Sequence, residues 1–152
     1  MKKGELKKAY LAAALACAGI ITAIVFYTVV VEILRHIGHQ PPLTGPAAYG
    51  LKYFFYITGA LPLIVLKFVN SRLDVKKPSP EETARLLTLL AIIRAAVCEM
   101  PAVSGLVLFA LTGCYWDFYL LALFSIALEI FNFPKLGAWE ERLRGDFGQL
   151  PD

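Results

Sequence analysis

Charge is scarce in this chain: 18% of its 152 residues are Asp, Glu, Lys or Arg, and no hydrophilic stretch is long enough to form a separate soluble domain. Histidine occurs twice and cysteine three times. Cys17, Cys98 and Cys114 are far apart in sequence and form no C-x-x-C pair, so a thiol oxidoreductase lacks its motif and the three are expected to be small packing residues. There is no glycine-rich phosphate loop and no serine–histidine–aspartate set, so no catalytic residue and no cofactor are assigned. The net charge of +3 needs no nucleic acid to explain it, because the basic residues are distributed as topology signals that also attract anionic lipid headgroups.

What the chain has is apolar length. Apolar and aromatic residues make up 58% of it and mean hydropathy is +0.62, a composition of membrane proteins. Four apolar segments stand out, at about 9–34, 47–69, 86–113 and 116–134. Each supplies about 20 residues, enough to cross a hydrocarbon core ~30 Å thick. Backbone groups in lipid must bond within their own segment, so the segments are expected to be helices. The expected fold is all-α: a single polytopic membrane domain of four spans, paired as two hairpins, with a short cytoplasmic tail over 135–152.

Basic residues set the expected orientation. Lys2, Lys3, Lys7 and Lys8 precede span one; Lys67, Arg72, Lys76, Lys77 and Arg85 surround the second connection; Lys135, Arg142 and Arg144 follow span four. The opposite side has only Arg35 and Lys52. By the positive-inside rule both termini are cytoplasmic, in a cell inner membrane. The basic start, apolar run and cysteine of "MKKGELKKAYLAAALAC" also suggest a lipoprotein signal, but the run continues unbroken to Leu34, so span one is expected to be retained.

Within span one, Ala12, Ala16, Gly19 and Ala23 share a face, a small-residue stripe of the kind that lets membrane helices pack closely, expected to serve packing within the bundle rather than a special dimer seam, and Gly38 is expected to end the helix. Pro62 should kink span two. Ser79, Pro80 and Glu82 form a capping box with a proline start, so helix three begins in water near residue 80. Unbroken to Gly113, it would run about 34 residues, or roughly 50 Å at 1.5 Å per residue. Trp139, among charges, is expected at the membrane surface on a short interfacial helix.

Ionisable residues inside spans are costly and are functional candidates by default. Glu99 and Glu129 lie about equally far from the turn between spans three and four, which predicts nearly equal depth. If they face each other, both cannot stay ionised cheaply, as in a proton or cation site. Arg94 either snorkels to the cytoplasmic surface or reaches Glu129 across the hairpin. Pro101 frees the carbonyl of Val97, a further potential cation or proton partner. A buried ion-pair cluster that fixes helix register is the competing reading of this group. On the outer side, Glu32 and His36 are one turn apart and, with His39, form a candidate metal set; Glu32 paired locally with Arg35 is the alternative.

The stretch Ile93–Gly113, with Glu99 followed by Ala102, Gly105, Leu106 and Val107, resembles the carboxylate-bearing helix of rotary ATPase proteolipid subunits. That resemblance implies a ring of hairpins in which Glu99 would carry a proton or sodium ion. Span one departs from it, being alanine-rich where the family's inner helix is glycine-rich, and so does Arg94. The leading expectation is therefore a structural or accessory subunit that packs with itself or with a larger membrane complex. The alternative is a small proton- or cation-handling protein that uses Glu99, with Glu129 and Arg94 as modulators. An enzyme centred on the outer histidines is the least supported reading.

Overall fold

A computed structural model describes residues 3–71 and 79–148. The basic residues Lys2, Arg72, Lys76 and Lys77 lie outside the described residues. Within them the protein is entirely helical: α1 Lys3–His36, α2 Pro46–Ser71, α3 Pro80–Thr112, α4 Tyr115–Asn132 and α5 Leu136–Phe147. Helices α1, α2 and α3 are long and apolar enough to cross a membrane. A fourth span is available if α4 and α5, bent by 41° at their short break, count as one.

The helix ends follow from local chemistry. The Ser79 side chain accepts a hydrogen bond from the Glu82 N–H at 3.2 Å, with Pro80 in the first helical position, which satisfies one of the orphan donors of the first turn. Helix α3 stops at Gly113, whose φ of 74° is left-handed and whose N–H bonds Phe109 O at 2.7 Å. A side chain there would press Pro41 at 3.1 Å, so the loop after α1 seats directly on the end of α3. Leu43 N–H to Leu111 O, at 3.0 Å, fastens the same loop. Gly38, also at φ 74°, closes α1.

Helix α3 is the hub. It packs most extensively on α4 and then on α2 and α1, while α1 also touches α4. Gly105 sets the α3–α4 approach: a Cβ there would lie 3.1 Å from Phe118 Cα and from Leu121 Cβ. Gly59 of α2 meets the same Leu121 and the backbone of Pro101, so three helices converge around the α3 proline. Around this centre Ile24, Val31, Ala102, Phe109, Phe118 and Ala122 form one core cluster.

Two sequence expectations are corrected by the packing. The buried face of α1 is Leu6, Ala13, Cys17, Ile24 and Val31, a seven- and four-residue spacing that keeps them on one side. The small stripe lies to one side of it: Ala16 and Ala23 are half-buried, Ala12 and Gly19 are exposed, and a Cβ on Gly19 would meet nothing within 4 Å. Trp139 is not a surface anchor. It is 7% exposed and belongs to a second core with Leu6, Ala84, Leu87, Ala91 and Leu143, its ring meeting Tyr10 edge-on at 5.9 Å. Beyond the 41° bend after α4, α5 leans against the first turns of α1 and α3.

Candidate functional site

The interior polar groups gather where α1, α3 and α4 meet. Glu99, half-buried on α3, accepts a hydrogen bond from the Tyr27 hydroxyl of α1, Oη to Oε1, at 2.5 Å. Glu129 of α4 is 1% exposed, and neither carboxyl oxygen has a hydrogen-bond partner. The polar groups that act on it are the thiols of Cys17 and Cys98 and the carboxyl of Glu99. Glu99 and Glu129 are therefore near neighbours, but Glu99 is bonded to a tyrosine on α1, whereas Glu129 lies near two thiols without a hydrogen bond to either.

Their depths differ. The Ser125 hydroxyl donates to the Cys98 carbonyl, which makes those two residues level across the hairpin. Glu129, one turn beyond Ser125, falls at about the level of Arg94, roughly one helical turn (~5 Å) from Glu99. Equal depth assumes that the helices pair symmetrically about the turn. Their register is instead set where the missing side chain of Gly105 admits Phe118 and Leu121. The Ser125 hydroxyl also supplies a donor within the turn that Pro101 interrupts; Pro101 itself is fully buried.

Arg94 is level with Glu129 but does not pair with it. Its guanidinium lines a cavity at the α4–α5 elbow, together with Lys135, Trp139 and Arg142. Among the described residues the ion pairs are Arg35–Glu32, Lys52–Asp117 and Arg142–Asp146.

At the outer end, Glu32 is bonded by Arg35 at 3.4 Å and by the Tyr119 hydroxyl, and Arg35 stacks over the Tyr115 ring at 4.1 Å. The His39 ring nitrogen Nε2 meets the Ala110 carbonyl at 2.9 Å, while His36 is exposed. Glu32 and His39 are thus engaged with different partners, and His36 faces outward. Among the described residues no group of three His, Cys, Asp or Glu is arranged to hold a metal ion.

Asp117 was missed by sequence reasoning. It is 4% exposed, and its Oδ1 receives both Lys52 Nζ and Tyr56 Oη at 2.8 Å. The available signal was a lone lysine near the start of span two opposite an acid in the first turn of α4. Tyr27 carried no comparable signal, since nothing in span one marks one aromatic residue as the partner of a distant carboxylate.

A groove of about 620 Å³ opens between α1 and α3 near their first turns, walled by Glu5 and Ala9 on one side and by Arg85, Leu89 and Ile92 on the other. It continues a stripe of exposed α3 residues: Arg85, Leu89, Ile92, Ala96, Met100, Val103 and Val107, one face by helical spacing. Glu99 borders this stripe.

Compared with protein-family models, with curated proteins and with solved structures, the chain matches none. None of these comparisons supports the resemblance of the third helix to proteolipid subunits.

Proposed function

We propose that this is a multi-pass inner-membrane protein with both termini in the cytoplasm, α4 being the fourth span and α5 lying at its cytoplasmic end, and that it serves as a structural or accessory subunit. The observation that carries this reading is the small-residue stripe of α1, in which Ala12 and Gly19 are exposed, Ala16 and Ala23 are half-buried, and a Cβ on Gly19 would meet nothing within 4 Å. Apolar residues in lipid need no partner, but small residues at this spacing let another backbone approach closely, which is where membrane helices gain packing energy. The groove between α1 and α3 lies beside it. A helix seated there, from a second copy or a larger partner, would also shield Glu99 from lipid, where a carboxylate is costly. The test is association in native-lipid nanodiscs. Gly19→Leu is expected to reduce self-association or partner co-purification at least tenfold while leaving the melting temperature of the single chain unchanged. Undiminished association would refute the reading.

A second reading is favoured by Tyr27 and Glu99. A hydroxyl at 2.5 Å from a half-buried mid-span carboxyl is an arrangement that can hold and release a proton or sodium ion. Labelling of Glu99 by a hydrophobic carbodiimide that declines with added sodium or rising pH would make ion handling the primary function. A Glu99 that never labels would remove it.

A further inference from the structure

The elbow between α4 and α5 contains a feature that neither functional reading uses. Its cavity, about 450 Å³, is lined by three basic side chains, Arg94 from α3, Lys135 from the elbow and Arg142 from α5, and by no carboxylate. Arg142 is close enough for its charge to act on Arg94. Two guanidinium groups sharing one cavity repel each other unless an anion lies between them. The Nε of Arg94 is buried with no hydrogen-bond partner, a costly state for a desolvated cation. Among the described residues the acid paired with Arg142 is Asp146, at 4.0 Å, the outer limit of an ion pair. The amino end of α5 borders the same cavity, with no acid in its first turn and no side-chain cap, and helix amino ends favour anions.

The apolar half of the cavity distinguishes among anions. Phe131, 84% exposed, and the buried Trp139 both line it. A small inorganic anion has no use for an apolar flank at the edge of a span, whereas an amphiphile does. We infer that the elbow cavity is a binding site for the phosphate of an anionic phospholipid of the cytoplasmic leaflet. Arg94 and Arg142 contact the phosphate oxygens through their planar donor forks, Lys135 lies at the headgroup, and the acyl chains leave past Phe131. The site would staple the break between α4 and α5 to α3.

The experiment is native mass spectrometry of the full chain in mild detergent, titrated with phosphatidylglycerol, phosphatidylcholine or inorganic phosphate. Each basic contact near a membrane surface is worth about fivefold in affinity. Arg94→Gln with Arg142→Gln is thus expected to reduce phosphatidylglycerol retention about 25-fold, to the phosphatidylcholine level, with Arg94→Lys, which keeps the charge but loses the planar fork, losing only part of it. If the double variant does not fold, Lys135→Gln at the exposed rim is expected to cost roughly fivefold on its own. Equal retention of the two lipids by the wild type, or retention unaffected by these substitutions, would overturn the proposal. Stabilisation of the wild type by inorganic phosphate, but not by phosphatidylglycerol, would assign the cavity to a soluble phosphate and overturn the lipid assignment.

Discussion

Gly105 allows the packing to be tested with a single methyl group. An added Cβ would lie 3.1 Å from Phe118 Cα, 3.1 Å from Leu121 Cβ and 3.3 Å from Phe118 O. Carbon atoms prefer about 3.5–4.0 Å, and two of these neighbours are backbone, so no rotamer change relieves them. Helix α4 must move away from α3, and a radial gap of about 0.5 Å already forfeits roughly a quarter of each dispersion contact it opens. Overpacking of this kind costs about 1–3 kcal/mol. Gly59 faces the flexible end of Leu121 at 3.0 Å, where an off-rotamer adjustment costs about 0.5–1.5 kcal/mol. Gly19 meets nothing, and alanine in a helix there gains about 0.5–1 kcal/mol over glycine. Because all three sites are helical, the propensity term is shared and differences between them report packing. Thermal unfolding of the three alanine variants in one detergent should rank Gly19→Ala highest, at or above wild type, Gly59→Ala below Gly19→Ala, and Gly105→Ala lowest. A Gly105→Ala protein as stable as Gly19→Ala would mean that α3 and α4 do not approach as described.

Three further outcomes are expected. Asp117→Ala should lower stability by about 1–3 kcal/mol in the same unfolding assay, since it strands the Tyr56 hydroxyl and the Lys52 ammonium, while Asp117→Asn, which keeps the Tyr56 bond, should cost less; a neutral Asp117→Ala would contradict the buried pairing. Trp139→Ala removes the largest side chain joining α5 to the bundle, a loss of about 3 kcal/mol or more, so trypsin should cut after Arg142 and Arg144 about 100-fold faster with the transmembrane core intact. Cys114 is exposed, whereas Cys17 and Cys98 are buried; an impermeant maleimide should therefore label Cys114 alone, and only from the outer face, in intact cells or spheroplasts. Labelling from the cytoplasmic side would invert the proposed topology.

Sequence reasoning reached the helices because their determinants are local. Apolar length, proline positions and the Ser79–Glu82 cap act over one or a few turns, and the described residues form helices close to the expected segments. It reached Glu99, Glu129 and Arg94 for a similar reason: a charged residue in an apolar run is conspicuous without any partner. Pairing was another matter. Arg94 and Glu129 are level and of opposite charge, yet each is turned to a different neighbour, and the acid that does pair with a cation inside the bundle, Asp117, stood close enough to a span end to look unremarkable.

What the sequence determined by itself is thus an all-helical, lipid-compatible chain, with helix ends placed by glycine, proline and capping residues and with carboxylates embedded in its apolar runs. The tertiary structure alone decided which face of α1 is buried, that α3 is the hub, that α5 returns to the bundle, and that Glu129 sits about a turn from Glu99. The physical reason is register. In a helix bundle, sliding one helix by a turn leaves its own hydrogen bonds and apolar pattern unchanged but exchanges every contact across the interface, and here that slide is set by close approach at Gly59 and Gly105, where the absence of a side chain on one helix becomes informative only once its neighbours are in place.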